Sequence, residues 1–303
     1  MDTSQIQTTN VSTVNNRTGL KSRNKVFKVL RTYPMILVGG LMVFTLLLIA
    51  IFAPLIATHN PITQYPTGIS DIGAPKGPNS EFIFGADSIG RDVFSRVIYG
   101  TRVSLEVGIF ASLISLFIGV TLGVVSGYFG KWVDMVIMRI TDTMLAFPFL
   151  LFVIALVAVL KPSITNVFIA IGVLGWAMMT RIVRGEVLKV KELEYVQSAK
   201  ALGASNFVII FKEILPNVVA PVIVMGTLLV GQNIMLEAAL SFLGIGIQPP
   251  TASWGNMLQD GMNTYQIAPW LIYLPGFALL WATLGFNLLG DGLRDWLDPT
   301  VGN

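Results

Sequence analysis

The chain has 303 residues, of which 53 % are hydrophobic and only 12 % charged, with a net charge of +3; an ordinary soluble domain carries about 25 % charged residues. So little polar material excludes a soluble domain of this length and points to a bilayer as the solvent. The absence of cysteine and the single histidine, His59, further exclude a disulfide framework, thiolate catalysis, a Cys-ligated metal site and a multi-histidine cluster.

In chain order, residues 1–20 are rich in Thr, Asn, Ser and Gln and are expected to be disordered. With Lys21, Arg23, Lys25, Lys28 and Arg31 they make a basic N-terminal arm over 1–32. The first apolar run, 35–57, contains no charge and is too long for a signal-peptide core, so an uncleaved anchor is expected over 33–57. A loop rich in Pro, Gly and Asp follows over 58–102. In its second half Val93, Phe94, Val97 and Ile98 keep a helical apolar period, which predicts a helix lying along the outer membrane face.

Five further spans are predicted within a core over 103–290. They cover 107–130, 143–160 with a kink at Pro148, the stretch between Lys161 and Arg181 (diluted by Gly172 and Gly175), 214–236, and part of 267–290. A tail over 291–303 ends the chain. Backbone groups in lipid must pair internally, so the expectation is an all-α integral membrane bundle of six helices. Most of the 20 basic residues, among them Lys131, Arg139, Arg181, Arg184, Lys189, Lys191, Lys200, Lys212 and Arg294, fall on one side if the N-terminus is cytoplasmic. The basic-residue rule then predicts N-in and C-in.

Within the second span Ala111, Ser115, Gly119, Gly123 and Gly127 recur every four residues. Such a face lets helices approach closely, either as tight packing within the subunit or as a seam against a partner. The fifth span carries Gln232, Asn233 and Glu237, which are candidates for a translocation path or for hydrogen bonds to a neighbouring helix. Its apolar residues contribute roughly 3–6 kcal/mol to insertion, against about 2.5–3.5 kcal/mol for one buried carboxylate, so the span can carry Glu237. Arg139 and Asp142, three apart, are expected to pair on one helix face. His59 reads as a loop residue, and Trp132, Trp270 and Trp296 as interface anchors.

The long cytoplasmic segment 184–217 holds Gln197-Ser198-Ala199, then Gly203, then Leu215-Pro216. It predicts a short helix, a break at Gly203, and a second short helix ending before Pro216. Val196, Ala199, Leu202 and Gly203 would share one small-residue face, suited to packing on the bundle or to a partner's close approach. This spacing resembles the EAA loop of binding-protein-dependent ABC importer permeases, with Gln197 in place of Glu, Ser198 in place of Ala and Glu213 where Ile is usual. Other segments strengthen the resemblance: Phe84-Gly85-Ala86-Asp87, Gly90-Arg91-Asp92, Leu240-Ser241-Phe242-Leu243-Gly244, Ser253-Trp254-Gly255-Asn256 and Asn287-Leu288-Leu289-Gly290-Asp291-Gly292. Together they are similar to the C-type permease of the dipeptide, oligopeptide and nickel importers.

The resemblance implies a type I importer bundle in a bacterial or archaeal plasma membrane. It further implies a B-type permease homologue as heterodimer partner, two ABC ATPase subunits, an extracytoplasmic solute-binding protein and a peptide substrate. Gln197, Ser198, Ala199, Leu202, Gly203, Leu215 and Pro216 would form the ATPase-coupling loop. ATP and Mg would be held by the ATPases; in this chain no cofactor, metal, catalytic residue or nucleic-acid partner is expected. Import of nickel or another small solute is the alternative within that family. A self-sufficient secondary transporter would usually show internal repeats, and an intramembrane hydrolase would need a base that one external histidine does not supply.

Overall fold

A computed structural model describes residues 32–297. The disorder expected over 1–20, the basic cluster up to Arg31 and the last six residues of the tail lie outside the described residues. Nine helices account for most of the rest: α1 (Pro34–Ile56), α2 (Val93–Phe129), α3 (Lys131–Ala146), α4 (Phe149–Leu160), α5 (Ile164–Val190), α6 (Glu194–Ala201), α7 (Asn206–Phe242), α8 (Trp254–Gly261) and α9 (Trp270–Leu297). Five of them are long and apolar enough to cross a membrane.

Three spans differ from their sequence-based expectation. The stretch 93–98 does not lie along the membrane face but opens α2, a continuous helix of 37 residues. Asp92 caps it, accepting from the Ser95 N–H, and Val93, Ser95, Arg96 and Ile98 are buried. At 1.5 Å per residue α2 is about 55 Å long, well beyond the ~30 Å hydrocarbon core, so it is longer than a crossing needs. The span expected over 143–160 is broken: α3 and α4 meet at 89°. Pro148 disfavours helical backbone in the residue before it, and Phe147 is accordingly extended, at φ −85° and ψ 142°. The 12-residue α4 reaches only about 18 Å, too short to cross alone.

The third difference lies in α7. The helix beginning at Asn206 does not stop before Pro216; it runs on into the span. A π-helical segment, Ile209–Ile214, makes this possible. The Leu215 N–H reaches back five residues to the Ile210 carbonyl. The wider turn relieves the strain of Pro216, whose ring would crowd the fourth carbonyl back in a regular α-helix. The last helix also continues past Gly290 to Leu297, so 291–297 extends the span instead of forming a separate tail.

Close glycine contacts hold the bundle together. The glycines of the four-residue stripe on α2 face α5: a Cβ on Gly119 would lie 2.6 Å from the Met179 Cβ, on Gly123 2.7 Å from that of Val183, and on Gly127 2.8 Å from that of Val187. Gly172 and Gly175, which dilute the fourth span's hydropathy, return the fit from α5 against Ile114 and Ser115. A second small-residue row on α2, Ser104, Gly108 and Ser112, faces α7, where a Cβ on Gly108 would lie 2.5 Å from Ile234 Cγ1. One long helix thus offers two narrow faces at different angles, each seating a neighbour. Helix α1 packs along α9, and the Trp281 indole donates to the Thr45 hydroxyl at 3.3 Å.

Candidate functional site

At one end of the bundle the chain leaves α5, forms α6 and turns back into α7. This elbow encloses Val196, which is buried with Val187, Ile209 and Ile214. Gln197 Nε2 donates to the Lys191 carbonyl at 2.8 Å, and the Tyr128 hydroxyl donates to Asn206 Oδ1 at 2.7 Å. Leu202 is 89 % exposed, and Gly203 has φ +81° with open space where a side chain would start. The expected common face of Val196, Ala199, Leu202 and Gly203 therefore divides. Val196 points into the bundle, Ala199 is half-buried, and Leu202 and Gly203 form the protruding tip, with Ser198 also exposed. Leu215 is half-buried and Pro216 exposed at the entry to the long part of α7.

Charged side chains brace the supports of this elbow. Arg184 donates to both carboxylate oxygens of Asp134, at 2.5 and 2.6 Å, and Ser126 adds a third donor at 2.5 Å. This ties α2, α3 and α5 together with a bidentate geometry that fixes both distance and rotation. Asp142 pairs with Arg181 of α5 at 2.6 Å, not with Arg139. The contact between the two helices supersedes the local pair, because α3 lies against α5 along this stretch.

The polar residues of the fifth span separate just as clearly. Gln232 is exposed and, with Met144, Phe149, Met178 and Leu229, lines a cleft of about 490 Å³ between α3, α4, α5 and α7. Asn233 reaches the rim of the same cleft, but its amide donates to Ser112 Oγ at 2.9 Å. Glu237 is fully buried; Ser104 donates to one carboxyl oxygen at 2.9 Å and Ser241 to the other at 2.7 Å. Sequence reasoning missed these serine partners. The i, i+4 spacing of Ser104, Gly108 and Ser112 on α2, and of Glu237 and Ser241 on α7, is the signal that would have found them.

The opposite end is closed by the 57–92 segment and by α8. Arg91 donates to Asp87 at 2.5 Å and to Asp260 at 3.0 Å, and Arg96 lies 3.5 Å from Asp87. The Trp254 indole, wholly buried, donates to the Val97 carbonyl, and the Trp270 indole to that of Ala86, each at 3.2 Å. Trp270 is thus tied to the loop, a role its expected interface position does not suggest. Helix α8 was not expected from the sequence. Its start is a reciprocal cap between Ser253 and Asn256, with Asn where Glu or Gln is usual.

A family model described as the binding-protein-dependent transport system inner membrane component matches residues 119–303. A second, the N-terminal TM domain of oligopeptide transport permease C, matches residues 24–75. The chain is 45 % identical to the dipeptide transport system permease protein DppC of Alkalihalophilus pseudofirmus, covering 94 % of this chain and 92 % of that one. It is 41 % identical to the glutathione transport system permease protein GsiD of Pectobacterium atrosepticum, over 87 % of this chain and 86 % of that one. It is 40 % identical to DppC of Bacillus subtilis, over 94 % and 88 %. With a nearly all-helical bundle of several apolar spans and matches that reach almost end to end, the chain belongs to the family of binding-protein-dependent transport system inner membrane components.

Proposed function

We propose that this chain is the C-type permease subunit of an ATP-driven importer of dipeptides or oligopeptides in the plasma membrane. It would pair with a B-type permease homologue, receive its peptide from an extracytoplasmic binding protein, and be driven by two separate ATPase subunits that hold ATP and Mg. Relatives named for dipeptide and glutathione transport favour a peptide over nickel as the cargo. The elbow would face the cytoplasm. Lys131, Lys191 and Lys200 line one cleft beside it and Arg184 braces its support, as the basic-residue rule would have it for a cytoplasmic side. Two basic residues of the opposite end, Arg91 and Arg96, are buried beside Asp87 and Asp260.

In this reading the elbow tip enters a cleft on an ATPase subunit. The observation that carries it is the exposed tip itself: an 89 % exposed Leu202 next to a glycine in the left-handed region, on a segment braced behind by Val196, Gln197 and Asn206. A large exposed apolar side chain on a rigid turn is suited to burial by a partner. Because α7 is continuous from Asn206 to Phe242, movement of the elbow would reach Gln232 through one helix. Gln232 is the best candidate for a path-facing residue, and Glu237 serves to fasten α7 to α2.

The test combines copurification with uptake. Ala199→Trp and Leu202→Asp should leave the chain inserted at normal abundance and protease resistance, yet lose bound ATPase or uncouple hydrolysis from peptide uptake. Gly203→Asn, which tolerates the left-handed region, should retain more coupling than Gly203→Leu. Retention of ATPase and undiminished uptake in both Ala199→Trp and Leu202→Asp would remove the coupling assignment.

A further inference from the structure

Behind the elbow, between α6 and the bundle, lies a cleft of about 430 Å³ that is lined by neither Leu202 nor Gly203 nor Gln232. Three lysines line it from three different elements: Lys131 at the start of α3, Lys191 just after α5, and Lys200 on α6. Glu192 is the one carboxylate in the lining, so the charge there is strongly positive. Among the described residues the side-chain ammonium groups of Lys131 and Lys200 have no hydrogen bond or ion pair. Lys191 gives one donor to the Gly127 carbonyl at 3.0 Å, which leaves two of its ammonium hydrogens. Tyr128, Gln197 and Asn206 add polar groups to the walls.

Two further observations narrow the occupant. Lys131 has φ +50°, in the region that glycine adopts freely and lysine does not. A cation is thus kept at a position whose backbone favours glycine. In the lining Phe129 is 48 % exposed, and Trp132, next in sequence to Lys131, is 71 % exposed. Large exposed aromatics at a helix end mark the membrane–water interface, and a basic pocket between helices at that height suits an acidic headgroup.

We propose that this cleft binds a phosphoryl anion, either the phosphodiester of an anionic phospholipid headgroup or free phosphate, held by Lys131, Lys191 and Lys200. Bound there, the anion bridges α3, the end of α5 and α6, and so clamps the elbow to the bundle from behind while its tip stays free. The inference goes beyond peptide import and its test reads no transport, so it stands or fails independently of the coupling reading.

The test uses the full chain in two arms. In the first, the protein is exchanged through vesicles of phosphatidylglycerol or of phosphatidylcholine, and retained lipid is counted by native mass spectrometry. In the second, inorganic phosphate is titrated calorimetrically into the protein in a neutral detergent. The parent should retain phosphatidylglycerol over phosphatidylcholine, or bind phosphate, and the paired change Lys131→Gln with Lys200→Gln should weaken this about tenfold or more. Glu192→Gln, which removes the opposing carboxylate, should strengthen it. This opposite-signed variant keeps the test decisive even if the lysine pair folds poorly. Lipid selectivity without phosphate binding assigns the headgroup as source, and phosphate binding without lipid selectivity assigns the free anion. A parent that neither distinguishes the two lipids nor binds phosphate overturns the proposal. So does unchanged binding in both the lysine pair and Glu192→Gln.

Discussion

The most enclosed charge-bearing group in the spans is Glu237, and its surroundings say what it does. Its two carboxyl oxygens take hydroxyl donors from Ser104 on α2 and from Ser241 one turn further along α7. Ser241 in turn accepts from the Ile247 N–H, so one side chain organises both an interhelical contact and the turn after α7. Hydrogen bonds between spans contribute about 0.6 kcal/mol on average, up to about 1.7. An unsatisfied buried donor costs about 1–3 kcal/mol. Glu237→Ala, which strands both serines, should therefore destabilise the protein by roughly 1–3 kcal/mol. Glu237→Gln, which keeps an acceptor oxygen, should lose clearly less. Thermal unfolding of the two variants in detergent checks this, and equal losses would show that the serine contacts contribute little. A change confined to substrate affinity, with stability intact in both, would instead return Glu237 to the translocation path.

At the level of elements, the helices that sequence patterns reveal well are those whose apolar run and charge-free boundary coincide. Helix α1 is one: its predicted 35–57 and observed Pro34–Ile56 differ by one residue at each end. Helix α2 is legible only from 107, because Glu106 marks the end of the apolar run there. Arg96 is in fact buried beside Asp87 and Asp260, an arrangement between residues up to 173 positions distant from Asp87 that no local window contains. The break between α3 and α4 was half legible, since Pro148 announces a bend but not its 89°. The course of α7 through Pro216 was not legible, because proline normally ends a helix and a π-helical segment has no clear composition of its own. Of the candidate site, the elbow's position and its glycine were readable, whereas the division between Val196 inside and Leu202 outside depends on how α6 is seated. The stripe on α2 supports a quantitative contrast. Gly123→Leu would drive side-chain atoms into Val183 and the Thr180 carbonyl, and overpacking of this kind costs about 1–3 kcal/mol or more. Gly185, in α5, has open space at its Cβ position, so Gly185→Ala should be neutral or stabilising by up to about 1 kcal/mol. Comparable thermal stability of Gly123→Leu and the parent would mean that the α2–α5 contact yields easily.

For the whole molecule, the decisive question is which end faces the cytoplasm, because the elbow can meet an ATPase from only one side. The two ends differ in kind. One is closed by the 57–92 segment, capped by α8 and fastened by Trp254, Trp270 and the Asp87–Arg91–Asp260 contacts. The other carries the elbow, the Asp134–Arg184 brace and the lysine-lined cleft. A closed and internally paired end would suit the outer side, whereas a protruding turn beside a lysine-lined cleft would suit the cytoplasm. The parent has no cysteine, so single reporters can be introduced without background. Ser163 precedes α5 on the closed end, Thr251 precedes α8 there, and Ser198 is exposed on α6 at the other. In intact cells an impermeant thiol reagent should modify Ser163→Cys and Thr251→Cys and leave Ser198→Cys unmodified; after permeabilisation Ser198→Cys should react as well. Both steps matter, because a Ser198→Cys that stays silent throughout would report only burial of that thiol by a partner. Reaction of Ser198→Cys from outside, with Ser163→Cys and Thr251→Cys protected, would invert the molecule and place the elbow where no ATPase can reach it.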